Sequence, residues 1–448
     1  MNRKVLLIGI GVLGVILLLV IGLWIYTKLK ANNTNNNNNN TNTNGSLTKD
    51  NITLEYWGLW EPSSVMDSAI AKFTTKYPNI KVKYTQKSFT QYDENSFTRL
   101  KEGSTDGSPT PDILRIHNTW LSKYQPYLNP APASVMTPTQ YKSAFYPTAA
   151  NDFIGTDNQI YAIPLEVDGL ALFYNKELLQ TVGETEPPTS WDDVIDLAKR
   201  LTKTDASGNI TQAGLAMGSS NNVKHAADIL SLLMLQNGVD VIDDTNKVMN
   251  VADELSVTSL EFYTDFVTEH KTWSPDLRSD LEMFYTGKLA MMIAPSWAVF
   301  DVLNSNSTIE FGLAPTPIIG GEEVYYGHYW GDTVSKNCKY PLEAWTFIKF
   351  LSEEAQLKEL YANSSQIRAF GEPYSRVAMN SQLANEPYVG AIMTMAPKFQ
   401  AWKKGEEAFV NKEFNTAINQ VINGGLDSVT ALSQAETNIN QKLATSIL

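Results

Sequence analysis

The side chains with chemistry to offer are carboxylates, histidines and tryptophans, and their spacing separates very different uses. Glu166 and Asp168 lie two apart in an extended segment, hence on one face with Cα atoms about 7 Å apart. Glycosidases work with a carboxyl separation of this order, one acid protonating the leaving oxygen while the other attacks or activates water. Such a pair must flank the scissile bond from opposing sides, though, and two acids in one loop serve equally as a solvated edge. His117, His225, His270 and His328 are scattered, without the H-E-x-x-H spacing that sets two imidazoles on one helix face for zinc. Neither a G-x-S-x-G turn nor a P-loop occurs, and SLTK at residues 46–49 matches S-x-x-K outside any helix start, with no K-T-G after it. The single cysteine, Cys338, excludes an internal disulfide and a CxxC site. The residues thus predict no catalytic centre, metal site or cofactor.

Two clusters instead sit where a sheet would present them. Trp60 and Glu61 follow a strand-like ITLEYWGLW, and His117, Asn118 and Trp120 follow the apolar PDILRI. Between them Met66, Ala69, Ile70, Phe73 and Tyr77 recur at helical spacing until Pro78, and IKVKYTQ then alternates as a strand. Strand, helix, strand predicts a parallel pair with a right-handed crossover, and an open α/β sheet binds ligands beyond the carboxyl ends of its strands. The bland alternatives are a hydrophobic staple at the next helix for Trp60 and Glu61, and a packed structural role for His117. Ser190, with Asp193 three residues on, predicts a capped helix; Trp57, Trp191 and Trp345 fit core positions. KLAMMIAPSW reads as a buried strand running into a loop. From Phe399 onward the pattern is helical, broken at Gly424 and Gly425. Asn221 and Asn222 fall in a loop after AGLAMG, within reach of a cleft or simply in a turn.

At 448 residues the chain suits two or three packed units, and its 43% hydrophobic and 19% charged residues are those of a globular protein. The net charge of −13 repels phosphate backbones, which argues against nucleic acid as a partner. Arg3 and Lys4 precede an apolar run over residues 5–26, long enough to cross a hydrocarbon core of roughly 30 Å, without an A-x-A cleavage site. It predicts an uncleaved transmembrane signal anchor with the body outside, a cleaved signal being the alternative. Residues 27–49, rich in Asn and Thr, read as a disordered linker.

At IYAIPLEVDGLALFYNKELL, followed by PPTSWDDVIDLAKRLT, the order of residues resembles the extracellular solute-binding proteins of the family that includes maltose-binding protein. EYWGLWEPSSVMDSAIAKFTTKYPNIKVKY, PDILRIHNTW, FYTGKLAMMIAPSW, YWGDTVSKN with EAWTFIKFL, and GGLDSVTALSQAE match in the expected order, over about residue 50 to the end. The resemblance implies a two-lobed, periplasmic-binding-protein-like α/β fold (type II) with a cleft between lobes. Lobe 1 would hold about residues 50–164 and 325–375, lobe 2 about 168–315 and 378–448, with crossings near 164–168, 315–327 and 374–378. It implies a receptor that captures a sugar or oligosaccharide and delivers it to ABC transporter permeases, as a monomer and not an enzyme. A glycoside hydrolase or a ligand-sensing surface receptor on the same fold are the alternatives. Apolar sugar faces need aromatic platforms and their hydroxyl rims need donors and acceptors. The resemblance therefore implies ligand contacts at Trp60, Glu61, Asp168, Trp297, Trp330 and Trp402. For Asp168 the alternative is a hinge residue holding backbone amides, and for Trp402 simple packing. His117, Asn118, Trp120 and Asn222 complete the candidate ligand-binding set. With few arginines near these loops beyond Arg115 and Arg368, a neutral ligand is favoured.

Overall fold

The computed structural model describes residues 46–104, 107–243, 248–321 and 323–446. The expected membrane anchor at residues 5–26, and residues 27–45 of the linker, lie outside them. Among the described residues no helix is long and apolar enough to cross a membrane.

The chain alternates strands and helices as its periodicity predicts. The first strand, β1 (Ile52–Leu59), is followed by a helix over Ser63–Lys76 and by β2 (Ile80–Lys87), which pairs parallel to β1. The helix buries Val65, Met66, Ala69 and Phe73 on one face, each larger side chain contributing about 1.5–3 kcal/mol. Next come β3 (Ile113–His117), β4 (Leu128–Asn129) and β5 (Ile163–Pro164). A second set comprises β6 (Leu170–Asn175), β7 (Lys203–Thr204), β8 (Ile210–Leu215), β9 (Ile242–Asp243), β10 (Val248–Met249), β11 (Leu289–Pro295) and β12 (Phe311–Pro315). Then follow β13 (Tyr325–Tyr326), β14 (Trp330–Ser335) and β15 (Phe399–Gln400).

These strands form two main sheets, one for each lobe. The first has the order β2-β1-β3-β14-β4, with β5 also on β14; the second has the order β12-β6-β11-β8-β7. In the first, β3 lies parallel to β1, while β14 enters antiparallel beside β3 from far along the chain. In the second, β11 is buried at every position and lies between β6 and β8, as an unbroken apolar strand should. Ser190 caps the helix Trp191–Leu201, its hydroxyl oxygen accepting from the Asp193 amide at 3.2 Å. Trp191 and Trp345 are buried, each donating its indole N–H, to Gln236 and to the Asn129 carbonyl.

Where the chain passes between the sheets, three stretches run side by side. Val167 donates its amide to Pro373 O and His328 to Asp168 O, both at 2.9 Å, and Glu166 bridges to Tyr374. Gly169 faces Gly327 here, and a Cβ on Gly169 would stand 2.4 Å from the Tyr326 carbonyl, so only glycine lets these backbones close.

One local expectation is corrected. Phe399–Gln400 is a strand on β13, and the helix begins only at Glu407. The intervening turn carries Gly405 at φ 64°, whose amide donates to Thr119 O and ties the turn to the segment after β3. As expected, the buried strand β11 runs into a short turn at Ser296 and Trp297, after which the helix Ala298–Asn304 begins.

Candidate functional site

The site is built where strand ends of the first sheet meet loops of the second. Leaving β1, Trp60 takes a left-handed backbone, φ 55°, a strained conformation for a bulky residue and one that clusters at ligand sites. Its ring lies 5.3 Å from Trp330 and 5.4 Å from Phe89, which is exposed. The β3–β14 register places His117 directly opposite Trp330, with rings 5.1 Å apart. Trp120, in the turn after β3, meets Trp330 at 5.0 Å. From His117 the path continues to His328 at 4.3 Å, His225 at 6.0 Å and Trp297 at 5.6 Å. The Lys224 ammonium caps Trp297 at 4.4 Å. Trp60, His117, Trp120, Trp330 and Trp297 thus join one continuous aromatic path that begins on the first lobe and ends on the second.

Beside the path lies a polar layer. Glu407 Oε2 accepts from Trp120 Nε1 at 2.8 Å and stands 3.3 Å from His117 Nδ1. Lys404, fully buried, donates to Asp228 Oδ1 at 2.9 Å and to Asn411 Oδ1 at 2.8 Å, and His225 Nδ1 lies 3.3 Å from the other Asp228 oxygen. Burial works against each of these charges, and mutual attraction overcomes it. Asp228 is held well below its usual range by Lys404, Lys404 is raised by Asp228, and Glu407 is held down to about 2 by His117 and Lys404. Burial, reinforced by His117, pushes His328 down to about 3, so its ring is neutral. His117 Nε2, His225 Nε2, Glu407 Oε1 and Trp402 Nε1 are buried with no partner in the protein. Such atoms are costly unless a ligand satisfies them.

The other candidates are packed into the scaffold, all but Trp402 with their polar atoms paired there. Glu61 pairs with Arg368 and accepts from the Ser364 hydroxyl. Asn118 donates to Asp152 and to the Gly327 carbonyl and accepts from the Tyr329 amide. Asn222 donates to the Ser274 and Leu277 carbonyls and accepts from Trp273 Nε1. Trp402 is buried against Phe414, with Lys404 Nζ 5.2 Å over its ring. The carboxylate of Asp168 accepts from the Gly169 amide at 2.7 Å and from the Ser296 hydroxyl at 2.9 Å, so it holds the residue next to Trp297. Glu166 accepts from the Trp330 amide and faces Arg115 at 3.6 Å.

Burial pushes Asp168 up to about 7 despite these donors. Because the folded pKa exceeds the unfolded one, the native state binds more protons between about pH 4 and 7, and this group's contribution falls as pH rises through that window. Asp168→Asn should therefore gain on the wild type in urea unfolding between pH 4.5 and 8, and a gap moving the other way would contradict the assignment.

Sequence reading missed Phe89, His225, Asp228, His328, Lys404 and Glu407. Phe89 had a signal, a large apolar side chain in the loop after β2. The polar five had none, because their partners stand as much as 287 residues away, as Glu407 does from Trp120.

Residues 58–358 match the bacterial extracellular solute-binding protein family, and the chain belongs to that family. Among relatives, a maltotriose-binding protein of Pyrococcus abyssi is 20% identical over 290 residues, 62% of this chain and 58% of the relative. A multiple sugar-binding protein of Streptococcus mutans is 22% identical over 326 residues, 70% of this chain and 74% of the relative. The chain spans about three fifths of the length of the Pyrococcus relatives it matches. A cyclo/maltodextrin-binding protein complexed with maltotetraose superimposes with a TM-score of 0.72 at 19% identity, covering 89% of this chain and 99% of that one. The sugar-binding protein MalE from Xanthomonas citri gives 0.71 at 19% identity, covering 88% and 98%. The two-lobed α/β fold is thereby shared.

Proposed function

We propose that the chain is a membrane-tethered extracellular receptor that captures a sugar or oligosaccharide between its lobes and delivers it to ABC transporter permeases. The observation that carries this reading is the aromatic path from Trp60 to Trp297, flanked by partnerless buried polar atoms. Rings stack on the C–H faces of a sugar, and the polar atoms meet its hydroxyls. A neutral ligand fits because Arg115 and Arg368 are each neutralised by carboxylates of the first lobe or the crossing strands. The names of the relatives, sugar binders among them, point the same way.

In this reading residues 5–26 anchor the chain, residues 27–49 are a leash, and a monomeric body over 50–448 closes by a hinge at the crossing strands. Its lobes would hold about 50–164 with 325–375 and about 168–315 with 378–448. Ligand closes the lobes because it binds the closed form better. Calorimetric titration with linear and cyclic malto-oligosaccharides and with pentose oligosaccharides should give saturable binding to one of them and no hydrolysis products. Trp297→Ala should weaken that binding by about 1–3 kcal/mol with the melting curve unchanged, and an undiminished affinity would remove Trp297 from the site.

A further inference from the structure

Three of the four histidines, spread over more than 200 positions of sequence, converge on the polar side of the aromatic path. His117 ends β3, His328 lies in the crossing between β13 and β14, and Glu407 opens the helix Glu407–Ile422. One donor atom from each of the three lies within 4.8 Å of the other two. We propose that His117, His328 and Glu407 form a site for a first-row transition metal ion of the zinc type, at the junction of the two lobes.

The chemistry of the donors selects that class. Two imidazoles and one carboxylate suit zinc and its neighbours, whereas calcium and magnesium demand more oxygen ligands than this cluster has. A set of three protein ligands also leaves a coordination position for an outside molecule.

Burial and orientation point the same way. His117 is 1% exposed; its Nδ1 lies 2.8 Å from Thr119 Oγ1 and 3.3 Å from Glu407 Oε2, and its Nε2 has no protein partner. Trp120 occupies one oxygen of Glu407 at 2.8 Å, and the other, Oε1, is buried with no partner. The nearby cation, Lys404, is already paired with Asp228 at 2.9 Å. The rings of Trp120 and Trp330 stand against His117, 6.0 and 5.1 Å from its ring. Tetrahedral zinc, with bonds of about 2.1 Å, spaces its ligands about 3.4 Å apart, so movements of roughly an ångström would complete the cage.

The site goes beyond sugar capture, although it shares His117 and Glu407 with the polar layer proposed to meet sugar hydroxyls. The full-length chain, stripped with a chelator and dialysed, is titrated with zinc chloride, with magnesium and calcium chloride as controls, and separately with cobalt(II), followed by visible absorption. Wild type should bind one zinc saturably and give the intense visible bands of four- or five-coordinate cobalt, without binding magnesium or calcium at that site. His328→Ala and Glu407→Gln should each weaken zinc binding at least tenfold and abolish the cobalt bands, while His270→Gln leaves both unchanged. Absence of saturable zinc binding by wild type, or unchanged affinity in well-folded His328→Ala and Glu407→Gln proteins, would overturn the site. Sugar binding by the wild type, measured on the same stripped protein, reads the receptor function separately, so that absence of zinc binding with intact sugar binding overturns only the metal site.

Discussion

Replacing Arg115 with alanine should cost the fold about 3–5 kcal/mol, the range for a buried charge left without its partner. Arg115 lies on β3 with its side chain 5% exposed, Nη2 3.6 Å from Glu166 Oε1 and Nε 3.6 Å from Asp332 Oδ1. Burial opposes the guanidinium, but Asp332 and Glu166 more than compensate and raise its pKa. Without it, two carboxyl groups remain in the interior, and Asp332, already pushed by burial up to about 6, must take a proton or be hydrated there. The loss should therefore be larger at pH 7.5 than at pH 5, where protonation relieves it. Urea unfolding at the two pH values measures this, and equal losses would show that packing rather than charge accounts for the effect. Glu166 also holds the Trp330 amide, so the same change should loosen the centre of the aromatic path.

Lys404→Met should cost a similar amount, about 3–5 kcal/mol, because it strands Asp228 in the interior. This pair ties the segment leading into Glu407–Ile422 to the helix Ala226–Gln236, and the lysine side chain is fully buried. Pairing Lys404→Met with Asp228→Leu should recover most of the loss, since an apolar pair of similar volume avoids the desolvation that two charges incur. Strictly additive losses in that double-mutant cycle would mean that the two side chains act independently.

These two clusters mark where the sequence stops being legible. Parallel β1 and β2, the face of Ser63–Lys76 and the Ser190 cap follow from patterns a few residues long, because local periodicity and capping are local physics. The aromatic ends of the first sheet were readable for the same reason: Trp60 and Trp120 follow apolar strands. What brings Trp330 opposite His117 is an antiparallel strand arriving from more than 200 residues away, and only the family resemblance hinted at it. Lys404 and Glu407 sit in KKGEEAF, which by composition is a solvated charge run, yet Lys404 is buried with partners from two distant segments, Asp228 and Tyr326. Asn222, attractive as a loop amide, is consumed by the turn that holds it, and nothing in its neighbours announces Trp273 as its partner.

The account rests on the cleft recognising a carbohydrate. A thermal-shift screen of the full-length protein against mono- and oligosaccharides, amino acids, peptides, polyols and phosphate esters tests this most directly, with tryptophan fluorescence titration of any hit. We expect a saturable shift with one class of sugar, a fluorescence change from the tryptophans lining the path, and no product on prolonged incubation. A shift confined to anionic or peptide ligands, or turnover of the bound sugar, would contradict it.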